Sequence, residues 1–141
     1  MSWVWLDGVE AFEKAKRVTA WKKWEAGFPQ TYLIEMMAQA GAVLLGAESD
    51  FEDDVVFIKI EEVEFLIPPR PEKRLDVAVE AEGLRKEAGW FRGEIFQEGE
   101  KIAGGRVLLM NVGKLKPGAR SPITFPARLI EGLKAECPGE E

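Results

Sequence analysis

Glu35 and Gln39 are the only polar side chains in the run from Leu33 to Gly46, which is otherwise apolar. Four residues apart, they fall on one face of a helix and make a single polar stripe on it. Burial disfavours the charged form of a carboxylate, so a glutamate carried into such surroundings has its pKa pushed up towards neutrality, where it can give or take a proton. A plainer reading stands beside this one: Glu35 and Gln39 hydrogen-bond each other and nearby backbone. Tyr32, the only tyrosine, sits one turn before Glu35, either as a further hydroxyl for the stripe or as a core ring. The chain contains no His. That removes the commonest general base, the Ser-His-Asp and Cys-His arrangements and most zinc sites.

The stripe needs a helix that disappears into a core. Gly27-Phe28-Pro29 breaks the chain before it, Thr31 is a plausible N-cap and Gly46 a stop, which predicts a helix over about 31–46. Such a helix is roughly 25 Å long, too short for a membrane span, and carries a carboxylate, so burial within one domain is expected. Ser2 to Leu6 reads as a strand ended by Asp7-Gly8. Val9 to Trp24 fits either a β-ribbon or a short helix followed by a strand, with Trp21 and Trp24 as core or interface anchors. Val55 to Leu66 alternates and stops at Pro68-Pro69-Arg70-Pro71; Arg74 to Glu82 alternates with one wet face. Trp90 to Gln97 and Lys101 to Val112 form a final hairpin across Glu98-Gly99-Glu100. Glycines 93, 104 and 105 within it mark a close approach, which a helix wrapped by the sheet would supply. Residues 1–113 are expected to form the domain. Residues 114–141 extend it with a loop and a short helix opening at Phe125-Pro126.

The whole chain sets further bounds. Its 141 residues, 46% apolar, suit one domain with a proper core. A net charge of −6, with no Lys/Arg cluster free of interleaved acids, disfavours a nucleic-acid partner. No window has the ~18 apolar residues of a membrane span, and Met1 to Phe12 lacks the pattern of a signal peptide, so a cytoplasmic location is expected. The lone Cys137 can form no internal disulfide.

Gly27-Phe28-Pro29, followed by Leu33-Ile34-Glu35-Met36-Met37-Ala38-Gln39-Ala40, resembles the GHFPGxPxxPG and LxEAMAQ signature of the bacterial 3-hydroxyacyl-ACP dehydratases of fatty-acid synthesis. The segment VEFLIPPRPEKRLDVAVEA and the hairpin GWFRGEIFQEGEKIAGGRVLLM are similar to later parts of that family, so the resemblance covers residues 2–110. It implies an α+β hot-dog fold, an antiparallel sheet wrapped around one long helix, and a homodimer or higher homo-oligomer. It places Glu35 on the family's catalytic glutamate and Gln39 on the glutamine one turn later; Gln39, Tyr32, Phe28 and Phe65 are the expected substrate-binding residues. Phe65 falls in a segment that borders the family's acyl tunnel. Arg70, Lys73 and Arg74 would be either a contact for the carrier's phosphopantetheine arm or a solvated charged turn. The implied partner is an acyl carrier protein or a CoA thioester; no metal and no cofactor are expected. Two departures matter. Gly27 stands where the family has its catalytic histidine, and the PGxPxxPG loop is cut down to Gln30-Thr31, so half of the proton-transferring pair is missing. Three functions therefore compete: an acyl-thioester protein of dehydratase ancestry, a thioesterase working through one carboxylate, and a non-catalytic binding or scaffold subunit.

Overall fold

A computed structural model describes residues 6–114. The elements run β1 (Gly8–Glu13), β2 (Arg17–Lys23), α1 (Thr31–Ala47), β3 (Val55–Phe65), β4 (Arg74–Leu84), β5 (Ala88–Gln97) and β6 (Glu100–Asn111). All six strands join one antiparallel sheet in the order β1-β2-β4-β5-β6-β3, and α1 packs against β2 through β6. The ambiguous stretch after Val9 is thus a β-ribbon, turning at Ala15 with φ 66°. The strand expected at residues 2–6 and the helix expected in the C-terminal extension lie outside the described residues, apart from Leu6, which belongs to no strand.

The sheet hides the helix as the sequence requires. Every residue of α1 from Met36 to Ala47 is buried, and Leu75, Val77 and Val79 of β4 close over it with Phe91 and Ile95 of β5 and Leu109 of β6. A Cβ at Gly93 would stand 2.8 Å from Met37 Cγ and Sδ, so that glycine lets the helix lie directly on the sheet. Gly105 also faces Met37. Gly104 faces the other way, where a Cβ would meet the Gly93 carbonyl and the Lys101 side chain.

The termini of α1 differ from expectation. Thr31 is the first helical residue rather than the cap; Gln30 holds the cap position with no side-chain bond. The turn is started by backbone alone, Tyr32 N–H donating to the Pro29 carbonyl and Leu33 N–H to that of Gln30, both at 3.0 Å. At the other end Gly46 stays helical, and the chain turns away through Asp50 and Phe51, at φ 53° and 61°. Phe51 N–H closes the turn on the Gly46 carbonyl at 2.8 Å.

The proline corner after β3 is held from beneath by Gln97, itself 1% exposed. Its Oε1 accepts from Arg70 N–H at 2.8 Å and its Nε2 donates to the Arg70 carbonyl at 2.9 Å. Glu98 and Gly99, both at positive φ, make the two-residue turn into β6.

On the outer face, charges form a chain across four strands: Glu62 to Arg92 (2.8 Å), Arg92 to Glu82 (2.8 Å), Glu82 to Arg106 (2.6 Å) and Arg106 to Glu61 (3.2 Å). The Arg106 guanidinium also lies 4.0 Å from the centre of the Trp90 ring. Hydrogen bonds from Arg92, then from Arg106, hold the Glu82 carboxyl below the ordinary carboxylate range. A carboxyl depressed in the fold stabilises it above its unfolded pKa and loses that contribution as pH falls through the folded value. Glu82→Gln is therefore expected to melt slightly below the wild type at pH 7, since exposed pairs contribute ~0–1 kcal/mol each. The two melting curves should converge as the pH drops below about 4; a gap unchanged at pH 3 would show that the charge contributes nothing.

Candidate functional site

The candidate site gathers at the first turns of α1, where β2, the Gly27 break and the segment before β1 meet. Trp24, Phe28 and Tyr32 stack in sequence: Trp24 meets Phe28 edge-on at 5.2 Å between ring centres, and Phe28 meets Tyr32 at 5.0 Å with the planes tilted by 58°. Trp24 is buried, whereas Phe28 and Tyr32 are partly exposed and packed against the core. Tyr32, Glu35 and Gln39 then succeed one another along one side of the helix.

Glu35 is half-buried rather than enclosed, because the first turn of α1 emerges from the sheet and burial becomes complete only from Met36. It is the one charged side chain of α1. Gln39, by contrast, is wholly buried, and its Oε1 accepts a hydrogen bond from Leu6 N–H at 3.0 Å. That bond lays Leu6, 5% exposed, against the polar stripe.

Asp7 carries the same segment across to β2. Its own N–H donates to the Trp21 carbonyl at 2.9 Å, and its Oδ2 accepts from Lys23 N–H at 2.8 Å. Its Oδ1 meets Lys22 Nζ at 3.2 Å. Lys22, which no motif marks in the sequence, joins the same cluster. On β2 the buried positions alternate, Val18, Ala20, Lys22, so the lysine points inward in a row otherwise apolar, opposite Leu75 on β4. It is 8% exposed, and its ammonium lies 5.8 Å from the centre of the Phe28 ring. The parity of RVTAWKK signals this only once the stretch is known to be a strand.

Phe65 is not brought to this cluster. It lies at the end of β3, at the opposite edge of the sheet from β1, and is 38% exposed beside Leu66 at 52%. Gly27 is exposed with φ 93°, a backbone that a histidine would adopt only with strain. The cations of the proline corner are matched by acids: Arg70 and Lys73 by Glu98 at 2.6 and 3.5 Å, and Arg74 by Asp76 at 2.8 Å and by Glu10. A solvated charged turn describes them.

Among the described residues no group of three or more His, Cys, Asp or Glu side chains is placed to hold a metal ion, and no helix is long and apolar enough to cross a membrane. The outer face carries a depression of about 180 Å³ floored by Gly93, Gly104 and Gly105. Its cations, Arg92 and Lys101, are already paired with Glu62, Glu64 and Glu94 around it.

No protein-family model and no curated protein matches the sequence. Solved structures do match. A chain of the dehydratase heterocomplex ApeI:P from Xenorhabdus doucetiae superposes with a TM-score of 0.68 at 22% identity, over 79% of this chain and 84% of that one. A hypothetical thioesterase from Streptococcus pneumoniae TIGR4, solved with coenzyme A, gives 0.63 at 12% identity over 77% of this chain and 87% of its own. The protein smu.793 from Streptococcus mutans UA159, solved with acetyl CoA, gives 0.62 at 14% identity over 77% and 90%. With a six-stranded antiparallel sheet closed over a single long helix and these structural neighbours, the chain has the α+β hot-dog fold.

Proposed function

We propose that this protein binds acyl thioesters, of CoA or of an acyl carrier protein, and that Glu35 is the group that moves a proton on them. The observation that carries the reading is the placement of Glu35: the one charge on a helix buried from Met36 onward, half-open to solvent, one turn beyond the Phe28–Tyr32 ring pair. Leu or Met at that position would fill the same space with less desolvation. Phe28 and Tyr32 offer an apolar surface for the acyl chain, and Gln39 shapes the far end of the path by fixing Leu6. Structural neighbours solved with coenzyme A and acetyl CoA support a thioester ligand.

Ordinary dehydration of a 3-hydroxyacyl thioester removes a proton from C2 and protonates the departing hydroxyl, which calls for two proton-carrying groups. With glycine in the histidine position, Glu35 is the one member left of the family's proton-transferring pair. Thioester hydrolysis needs one carboxylate to activate water, so the absence of His from the chain favours it as the second reading. The acting species in this proposal is a cytoplasmic homodimer joined along β3. That edge strand has eleven residues against six for β1 and ends in the exposed Phe65, with exposed Leu66 just beyond it.

The test is calorimetric titration of the purified chain with acetyl-, octanoyl- and palmitoyl-CoA, its mass being checked by light scattering at micromolar concentration. A dimer that binds at least one of them is expected. A dimer that binds none would leave the scaffold role, and a monomer would remove the proposed β3 joint.

A further inference from the structure

We propose that Lys22 donates a hydrogen bond to the carbonyl oxygen of the bound thioester, an inference that rests on the acyl-thioester reading above. An ammonium has three N–H donors. Among the described residues one oxygen, Asp7 Oδ1 at 3.2 Å, accepts from it, and the remaining contact is the face of the Phe28 ring. A lysine this deeply placed is normally satisfied on all sides or kept in water. Here it stands in a row otherwise apolar, 8% exposed, with donors that no second oxygen among the described residues accepts.

The geometry orders the groups. Lys22 lies over Phe28, Phe28 touches Tyr32, and Glu35 follows Tyr32 by three residues, about 4.5 Å along the helix axis. A thioester laid across the rings in this proposal meets the ammonium at its carbonyl and turns the adjoining carbon towards Glu35. Asp7, tied to the backbone at Trp21 and Lys23, holds the lysine in place rather than competing for every donor. When Glu35 takes a proton from the carbon beside the carbonyl, the electron pair of the broken C–H bond forms the enolate double bond and charge gathers on the oxygen. The ammonium faces that charge, in a site where a preformed donor acts more strongly than in water.

The experiment compares octanoyl-CoA with S-octyl-CoA, the thioether that lacks only the carbonyl oxygen, on the wild type and on Lys22→Met. A hydrogen bond from a charged donor predicts about tenfold tighter binding of the thioester by the wild type. Lys22→Met should bind both ligands equally, near the wild-type affinity for the thioether. Met suits an inward position beside Val18 and Ala20, and Lys22→Leu provides a second variant without a side-chain donor should the first not fold. A wild type that binds both ligands alike, or a variant that keeps the preference, overturns the assignment of Lys22. Failure of the wild type to bind either ligand overturns instead the acyl-thioester reading on which it rests.

Discussion

Glu35→Gln is expected to lower turnover of an acyl thioester by about 10²–10⁴-fold, the usual contribution of a general acid or base, while the melting temperature stays within a degree or two. Both halves follow from position. The side chain is the one charge on α1 and follows Tyr32 of the ring pair by three residues, and in the proposed function it is the group that moves the proton. It is also only half-buried, so exchanging carboxylate for amide of the same shape opens no cavity and strands no deeply buried charge. Binding of octanoyl-CoA should persist in the variant, since the rings and Lys22 are untouched. The measurement is single-turnover hydrolysis and 3-hydroxyacyl-CoA dehydration followed side by side, with a melt as control. Turnover that survives the substitution would place the chemistry elsewhere. With no histidine available, hydration-lyase turnover far below hydrolysis is also expected.

Gln39→Leu should show the reverse pattern, a loss of stability. The side chain is wholly buried and its Oε1 takes the Leu6 N–H at 3.0 Å. Leucine fills a similar volume but accepts nothing, so a buried backbone donor is left without that partner, at a cost of about 1–3 kcal/mol. For a domain of this size that is several degrees of melting temperature. Part of the loss should be local: Leu6 would leave the stripe before the sheet opens, and amide exchange at Leu6 would quicken ahead of that at Leu33 or Val43. A variant that melts with the wild type and keeps Leu6 protected would show that the bond does not anchor the segment. If acyl-CoA affinity also falls, the placement of Leu6 shapes the ligand path as proposed.

Much of this architecture was legible because two periodicities leave clear marks. A run apolar on all sides of a helix has to be enclosed, and alternating segments such as Arg74 to Glu82 have to cover something with one face. Together they demand a sheet wrapped over a helix, and Gly93 meeting Met37 is the local consequence. The strand–turn chemistry of Glu98-Gly99 and the stop at Pro68-Pro69 are equally local and were equally readable. Glu35, too, stands out in sequence, as a charge where nothing in packing asks for one.

Tertiary structure alone decided the rest, because the deciding forces act between residues far apart in the chain. Whether residues 9–24 were helix or ribbon was settled by pairing with β4, some sixty residues on, and that pairing fixes the parity that turns Lys22 inward. The depth of Glu35 depends on where the sheet ends along the helix, which its neighbours in sequence do not encode. Gln39 and Leu6, thirty-three residues apart, find each other only once β1 and β2 bring the start of the chain back across α1. Phe65, on the same strand as buried Val55 and Val56, is left exposed at the far end of β3, where the strand runs beyond the buried part of the sheet. Sequence fixes which residues must be buried and which must turn, since those preferences are local free energies; which polar groups meet in the interior follows from the order of strands in the sheet.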